Sequence, residues 1–516
     1  MIKINMSSKL KMKKCKGSGR CVATFAVLTG LAAYYYTAPV VDSESVLSDI
    51  TAKIEQVKET VLTPKPALDM NAQIAAIAAE DQAMEEQTPS ADNSVESDEP
   101  EHIPESAVVE NRENILNDYQ NLIADEFHIP ENMRNRVGFW FDIYTQHNSH
   151  KRLIHHSEYP WIVFEIVDVT PIIETDTPKF RWMRNMKADA MVKQQVEKTK
   201  TALKSLSKRK NFENLTEDET RVMNALSHLD GEVQKKAKFA LNNVRVQMGQ
   251  RNFFQEGLEV SPKYLPGMEE IFENYNLPVE LTRLPFVESS FNKHAKSKVG
   301  ASGIWQFMGN TGRKFMVVTD HIDERTSPFK ASVAAAQLLK ENHMILKRSW
   351  PLAITAWNHG PPGMRKAMAK MKTNDLGEIV EKYRSKTFDF ASSNFYSEFL
   401  GALFAERYHK EIYEDVNYAQ QLNLHTVKLS KNISAKDLLK RSKLSAEDFM
   451  LFNPDLKKAV QMNAQVPSGF MIMLDDDSRD HLKSIVASAT LGKKKKVSKP
   501  TAQNEVTLSE PVAGEL

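Results

Sequence analysis

A long acidic segment without basic residues divides this chain of 516 residues. From Pro66 to Asn111 there is no lysine or arginine, while glutamate and aspartate recur among proline, serine and glutamine. Such a segment buries too little apolar surface to offset the entropy that folding removes. We therefore expect residues 42–110 to be an acidic flexible linker, with folded domains only after it.

The segment before this linker is basic and then apolar. Residues 1–41 contain seven lysines and arginines and no acid, and they end in an apolar run from Cys21 to Val41. This order is typical of export signals, and a run of about 20 residues can cross a bilayer once. We predict a signal peptide or membrane anchor, with export to the periplasm or cell envelope. An uncleaved anchor of residues 21–41 in the inner membrane is favoured, because no small-residue cleavage site stands out.

Charge and cysteine content exclude several classes of protein. The net charge is +1 for the whole chain, and the basic residues gather on no folded segment, so we expect no nucleic-acid binding. Cys15 and Cys21 are the only cysteines, so the exported part has no disulfide or thiolate metal site. The histidines also lack metal-ligand spacing: His155, His156, His321 and His359. We expect no metal and no cofactor, and nothing indicates an oligomeric state.

Helical patterns dominate after the linker. Residues 111–260 are predicted to be mostly helical, with a small β hairpin whose turn contains Pro160 and a last long helix over 232–250. Residues 261–410 are also helical by pattern, and Ser261 and Ser327 are predicted N-caps.

The C-terminal part has a different pattern. Residues 425–474 predict the order strand, helix, helix, strand in about 50 residues, which is too short for a large core. Residues 491–516 contain four consecutive lysines near their start and continue as a low-complexity polar tail, which we expect to be disordered.

The stretch LPFVESSFNKHAKSKVGASGIWQFM, residues 284–308, carries the clearest chemistry. Glu288 follows an apolar run, and burial disfavours a charged carboxylate, which makes the group a proton donor near neutral pH. Glycoside cleavage needs such a donor at the leaving oxygen. A lone glutamate is more often a helix-terminal group that bonds nearby serines. The context favours chemistry, since glycines, Trp305 and Gln306 follow, and AWNHG adds an aromatic and an amide at Trp357 and Asn358.

Several motifs in order strengthen this hypothesis, namely ESSF, SKVGASGIWQFMGNTGR, DERTSP, AAAQLL, WPLAITAWNHG and NFYSEFLGAL. Over residues 261–410 the chain resembles the membrane-bound lytic murein transglycosylases of the D type. That resemblance implies a mainly α, lysozyme-like (goose-type) domain that cleaves the β-1,4 bond between N-acetylmuramic acid and N-acetylglucosamine in peptidoglycan and forms a 1,6-anhydro product.

The resemblance also implies roles for individual residues. Glu288 matches the family's single catalytic acid and base, and Ser289 matches the serine that assists it. Trp357 stands where the family has tyrosine, so that hydroxyl is absent. Asp323 and Glu324 are the nearest other carboxylates, and Asp323 with Arg325 matches a structural pattern. The predicted substrate-binding residues are Ser289, Gly303, Trp305, Gln306, Met308, Trp357, Asn358 and Tyr396.

Residues 425–474 resemble a LysM module, a small peptidoglycan-binding fold, but Lys431 replaces a usual Gly-Asp turn. The expected partners are therefore peptidoglycan glycan strands and, through the N-terminal segment, a membrane. Two alternatives stay open. One is a catalytically inactive peptidoglycan-binding or scaffold protein, and the other is a lysozyme-type hydrolase with a second carboxylate facing Glu288.

Overall fold

The computed structural model describes residues 109–175 and 180–482. The predicted leader, nearly all of the predicted linker and the predicted tail lie outside these residues. Within the described ranges, no helix is both long and apolar enough to cross a membrane. The anchor predicted over residues 21–41 falls outside those ranges and stays a prediction.

The described chain is mainly helical with small antiparallel sheets, as the sequence predicts. Its α-helices are α1 (Arg112–Leu116), α2 (Arg134–Thr145), α3 (Thr170–Ile173), α4 (Arg181–Leu206), α5 (Glu217–Leu226), α6 (Val233–Leu241), α7 (Arg251–Val260), α8 (Leu265–Asn274), α9 (Leu284–Ser289), α10 (Gly309–Gly312), α11 (Pro328–Ile345), α12 (Trp350–His359), α13 (Pro361–Met371), α14 (Leu376–Lys382), α15 (Phe390–Arg407), α16 (His409–Ile412), α17 (Ala435–Ser442), α18 (Ala446–Phe452), α19 (Lys457–Met462) and α20 (Asp476–His481). Its strands are β1 (Lys151–His156), β2 (Val163–Asp168), β3 (Val244–Met248), β4 (Ala301–Ser302), β5 (Phe307–Met308), β6 (His425–Lys428), β7 (Ile433–Ser434), β8 (Gln465–Val466) and β9 (Met471–Leu474).

The predicted hairpin is present, but its sheet has a third strand. β1 pairs with β2 across the turn and with β3 on its other side, both antiparallel, in the order β2-β1-β3. The helix predicted over 232–250 is wrong beyond Leu241, where α6 ends. Val244 and Val246 alternate with polar residues, and Val246 lies opposite Ile154 on β1. Pairing with β1 and the β-branched residues favour a strand there over a longer helix.

Three hydrophobic cores organise the described residues. The main core contains Trp140 on α2, Phe254 on α7 and Phe399 on α15, so it is continuous across the domain boundary predicted at residue 260. A second core lies between the three-stranded sheet and helices α4 to α6. A third core belongs to the C-terminal module, which we define as residues 425–474. The domain boundaries themselves stay predictions.

The C-terminal module has the predicted order of strand, helix, helix and strand. β6 pairs antiparallel with β9, and α17 and α18 lie between them in the chain. The additional helix α19 and the short pair β7–β8 complete the module. Ser434 and Ser445 accept backbone N–H bonds at the first turns of α17 and α18, which explains where these helices begin.

Of the two predicted N-caps, Ser327 occupies the cap position without a cap bond and Ser261 is wrong. Ser327 precedes α11, but its fully buried hydroxyl makes no cap bond and has no hydrogen-bond partner among the described residues. Ser261 lies within a 3-10 turn, Ser261–Lys263, and makes no cap bond either.

Candidate active site

A short helix positions the candidate acid. α9 begins with Pro285 in its first turn, and all six of its residues are buried. It ends because Ser290 and Phe291 adopt left-handed backbone angles, φ 49° and 60°. The ring of Phe286 stacks on Phe254 with 4.7 Å between centroids, which fixes α9 against α7. Glu288 therefore stands in the last turn of a helix whose orientation is set by packing.

Glu288 lies in an apolar environment with a single aromatic hydrogen-bond donor. Glu288 is only 7% exposed. Burial raises the pKa of Glu288 to about 8, while a hydrogen bond from Trp357 acts in the opposite direction. The only donor of a tryptophan side chain is the indole N–H. The carboxyl is therefore mostly protonated at neutral pH, the state that a general acid requires.

The serine beside the acid joins α9 to the glycine turn. Ser289 Oγ donates to the carbonyl oxygen of Ile304 at 2.9 Å. This turn, residues 303–306, lies between β4 and β5, which pair Ser302 with Phe307. Its backbone needs left-handed angles at Gly303, φ +75°. Ser289 thus holds the turn next to the acid through a direct side-chain bond.

Two of the predicted binding residues build the turn from within. Trp305 is fully buried, donates from its indole to Ser332 Oγ at 2.9 Å and stacks on Phe272. The Gln306 amide donates to the carbonyl oxygens of Ala295 at 3.1 Å and Gly303 at 2.8 Å. Both side chains therefore bind protein groups, Trp305 in the core and Gln306 at a partly exposed position.

Met308 and Trp357 lie nearer to solvent. Met308 is 43% exposed and follows Phe307 on β5. The ring of Phe307 meets Trp357 edge to face at 5.0 Å, and Trp305 lies 5.6 Å from the same indole. Trp357 is half-buried at the C-terminal end of α12. It therefore bonds the acid on one side and packs on the turn on another.

Asn358 and Tyr396 lie on the two helices α12 and α15. Asn358 Oδ1 accepts a hydrogen bond from Ser392 Oγ at 2.8 Å, which ties α12 to α15. Tyr396 on α15 is buried, and its hydroxyl has no hydrogen-bond partner among the residues that the structure describes. Burial raises the pKa of Tyr396 above its usual value, and the charge of Glu126 raises it further.

The rival carboxylates are both ion-paired. Asp323 binds Arg325, with oxygen-to-nitrogen distances of 2.9 and 2.7 Å. Glu324 lies 3.0 Å from the ammonium of Lys330. Arg325 in turn donates to the carbonyl oxygens of Gly300 and Phe307 at 2.8 and 3.0 Å. These groups thus support the turn and are not free to act on a ligand.

Two buried residues near the acid were missed by the sequence analysis. Burial raises the pKa of Tyr144 on α2 well above its usual value, and the charges of Glu398 and Glu288 raise it further. Glu398 on α15 is itself only 5% exposed. No local motif marks either residue, because α2 and α15 meet only in the folded chain.

No metal centre is apparent in the described ranges, where no group of three or more His, Cys, Asp or Glu side chains could hold an ion. Burial lowers the pKa of His155 to about 3 and that of His156 to about 4. Both imidazoles are therefore neutral at physiological pH and pack as core side chains, beside Phe139 and Tyr159 respectively.

Comparison with known proteins finds similarity over part of the chain. Residues 269–379, which include Glu288 and Asn358, match the family model "Transglycosylase SLT domain". Membrane-bound lytic murein transglycosylase D of Escherichia coli (strain K12) is 36% identical over 118 residues, which cover 23% of this chain and 24% of that protein. The chain thus matches about a quarter of the length of this curated relative.

Two solved structures show a more limited likeness. An inactive mutant of lytic transglycosylase Slt from Pseudomonas aeruginosa has a TM-score of 0.25 at 16% identity, over 39% of this chain and 30% of its own. The 70 kDa soluble lytic transglycosylase of Escherichia coli has a TM-score of 0.26 at 14% identity, over 48% of this chain and 40% of its own.

Proposed function

We propose that this protein is a lytic transglycosylase that cleaves peptidoglycan glycan strands with the residues between 261 and 410. One observation carries the proposal: burial raises the pKa of Glu288 to about 8, and no cation is among the groups that shift this pKa. Glu288 lies within the segment that matches the transglycosylase family model. A protonated carboxyl at neutral pH is what cleavage of an unactivated glycosidic bond requires.

In the first step, Glu288 donates its proton to the glycosidic oxygen between N-acetylmuramic acid and N-acetylglucosamine. The C–O bond breaks, the leaving sugar takes the proton as a hydroxyl, and positive charge develops at the anomeric carbon of the muramic acid. The neighbouring N-acetyl oxygen stabilises this charge, so a second enzyme carboxylate is not needed. The Trp357 hydrogen bond favours the carboxylate that Glu288 becomes.

In the second step, the Glu288 carboxylate accepts the proton of the 6-hydroxyl of the same muramic acid. The oxygen of that hydroxyl bonds to the anomeric carbon and forms the 1,6-anhydro ring. Glu288 is again protonated, and no water is consumed. One acid thus serves both steps, since its high pKa also makes its carboxylate an effective base.

The predicted binding residues divide into two proposed roles. Met308, Trp357 and Asn358 are not fully buried, and we propose that they contact the sugar. Gln306 is also partly exposed, but its amide binds the carbonyl oxygens of Ala295 and Gly303. The others are proposed to fix the shape of the cleft from beneath, namely Ser289, Gly303, Trp305, Gln306 and Tyr396. Their bonds to protein groups, where the structure gives them, support this second role.

The two alternatives make different demands on the site. An inactive scaffold would not need the indole bond to Glu288, which replaces the donor that the missing tyrosine hydroxyl would supply. A hydrolase would need a second carboxyl facing Glu288, and the candidate is buried Glu398, since Glu398 and Glu288 both raise the pKa of Tyr144. The mass of the product distinguishes all three functions.

We also propose a location in the cell envelope. The basic and apolar start of the chain supports it, as does the membrane-bound relative. Glycan binding by the LysM-like C-terminal module is a separate proposal, supported by its strand-helix-helix-strand order.

The test is mass analysis of purified peptidoglycan digested with the full chain and with Glu288→Gln. Muropeptides lighter by one water than the hydrolysis products, and absent with the variant, are the expected result. Reducing ends would indicate the hydrolase. Binding to sacculi without any release would indicate the scaffold.

A further inference from the structure

The C-terminal module and the rest of the protein each bury a side chain that belongs to the other. Ile322, which belongs to the loop of residues 317–326, lies in the core of the module together with Leu456 and Phe470. In the opposite direction, Met473 of strand β9 lies in the main core. Such reciprocal burial is not expected of a binding module attached by a flexible linker, because separation would expose both side chains to water.

A buried ionic cluster lies at the same boundary. Asp455 of the module accepts a hydrogen bond from the ammonium of Lys330 at 2.6 Å, and its side chain is fully buried. The same ammonium lies 3.0 Å from Glu324 and 3.8 Å from the centre of the Phe470 ring. The backbone N–H of Asp323 also donates to the carbonyl oxygen of Asp455 at 3.2 Å. The module is therefore joined to the loop directly by a backbone hydrogen bond, and through Lys330 of α11 by ionic and cation–π contacts.

The loop passes these contacts on to the glycine turn. Glu324 accepts the backbone N–H of Val317 at 2.7 Å, which closes the loop. Asp323 orients the guanidinium of Arg325, and Arg325 donates to the carbonyl oxygens on both sides of the turn. The backbone also fits closely, because a Cβ on Gly303 would overlap the carbonyl oxygen of Arg325.

One hydrogen bond connects the turn to the acid's neighbour: Ser289, next to Glu288, donates to the carbonyl oxygen of Ile304. We propose that the C-terminal module is part of the catalytic scaffold, and that Asp455 is a positioning residue that holds the 317–326 loop and thereby the glycine turn beside Glu288. The kinetic part of this inference rests on the proposed function. The structural part does not, since it concerns the order of the turn.

The test uses Asp455→Asn in the full chain, with Asp448→Asn as the matched control. Asp448 lies in the same module; its exposed carboxylate accepts a hydrogen bond from Ser445 Oγ, and its backbone N–H donates to the same Oγ. Hydrogen exchange followed by mass spectrometry should show exchange about tenfold faster in residues 297–308 for Asp455→Asn. It should show no change there for Asp448→Asn, and none in α15 for either variant.

A second variant changes the ionic cluster at a residue of the loop instead of the module. Glu324→Gln weakens the pairing with Lys330, keeps an acceptor for Val317 and leaves every residue of the module in place. It should also raise exchange in residues 297–308, so the test stands even where Asp455→Asn unfolds the module. On soluble glycan strands, both variants should lower kcat about tenfold with KM unchanged, and Asp455→Glu should restore part of the rate.

Two results would overturn the inference. One is unchanged exchange in residues 297–308 for Glu324→Gln and for folded Asp455→Asn. The other is a rise in exchange that is uniform over the whole chain, which indicates only lost stability. A wild-type protein that releases no anhydro product would refute the proposed function instead, and the exchange result would still decide the role of Asp455.

Discussion

The pKa values of two buried glutamates, Glu288 and Glu406, are shifted in opposite directions. Glu288 has the indole of Trp357 as its hydrogen-bond donor, and burial raises its pKa to about 8. Glu406 near the end of α15 is equally buried, but Arg283 binds it through two bonds of 3.0 Å. Burial again raises the pKa of Glu406, yet the charge and bonds of Arg283 outweigh it, and the net pKa is lowered. Between these two glutamates, the bidentate bond from Arg283 decides the direction of the pKa shift.

The largest effect is expected on activity from Glu288→Gln. An amide of the same shape cannot donate a proton from oxygen, and general acid–base catalysis contributes about 10²–10⁴-fold. We expect kcat on soluble glycan strands to fall by about that factor while the circular dichroism spectrum is unchanged. Activity within threefold of wild type would remove Glu288 from the mechanism.

The second prediction concerns the paired glutamate. Arg283→Met leaves Glu406 buried without its bidentate partner, and breaking a buried pair costs about 3–5 kcal/mol. Urea unfolding at pH 7 should report a loss of that size. The control is Lys382→Met, which removes an exposed pair with Glu378 on α14 and should change stability by less than about 1 kcal/mol. Equal losses for the two variants would contradict the comparison.

The two glutamates should also give stability opposite pH dependences. Glu288 ionises near pH 4.5 when unfolded and near 8 when folded, so the folded state binds more protons between these values and loses stability as the pH rises. The slope is up to about 1.4 kcal/mol per pH unit. Glu406, with its lowered pKa, adds stability above pH 4.5 that is lost on acidification.

Urea unfolding of wild type and Glu288→Gln from pH 5 to pH 8 isolates the first of these terms. The variant should gain stability relative to wild type as the pH rises through this window. A difference that is constant with pH would mean that Glu288 ionises normally in the folded protein.

A smaller change is expected from Trp357→Phe, which keeps an aromatic ring but removes the indole N–H. That bond lowers the pKa of Glu288, so its loss should raise the pKa and move the alkaline limb of the rate profile to higher pH. The rate should fall about tenfold, since bonds to charged groups contribute about 1.5–3 kcal/mol. Trp357→Tyr supplies a hydroxyl donor and should recover most of the rate. An alkaline limb that stays in place for Trp357→Phe would show that the indole does not bond the acid.

The smallest effect belongs to Ser289→Ala. It removes the hydroxyl that donates to the carbonyl oxygens of Ile304 at 2.9 Å and, more weakly, Pro285 at 3.4 Å, and should cost about 1 kcal/mol of stability in thermal unfolding. Ser393→Ala on α15 removes a local bond to Phe390 and serves as a control outside the site. A loss above about 3 kcal/mol would show that Ser289 does more than join α9 to the turn.

Much of the site could be predicted because its parts are local in sequence. The apolar run before Glu288 indicated burial and hence a raised pKa, and the glycines indicated the turn. Trp305 was expected to line the cleft, yet it lies in the core because Phe272 and Ser332, from distant helices, meet it there. The same limit applies to β3, whose partner strand is about 90 residues away.

The indole bond to Glu288 could not be predicted for a related reason. Trp357 is far from Glu288 in sequence, and the resemblance offered only a missing tyrosine hydroxyl at that position. The contact between Asp455 and Lys330 spans an even longer separation. Pattern reasoning identifies which side chains can do chemistry, but the partners that tune a pKa come from packing between elements.

The most direct test of this account is the pKa of Glu288 itself. Carbon-13 NMR of glutamate labelled at the side-chain carboxyl, assigned by difference from Glu288→Gln, follows that one group through a pH titration. We predict a midpoint near pH 8, because burial raises the pKa of Glu288 to about 8. A midpoint near the usual value of 4.5 would contradict the account, since the acid would then be ionised at neutral pH and could not protonate the glycosidic oxygen.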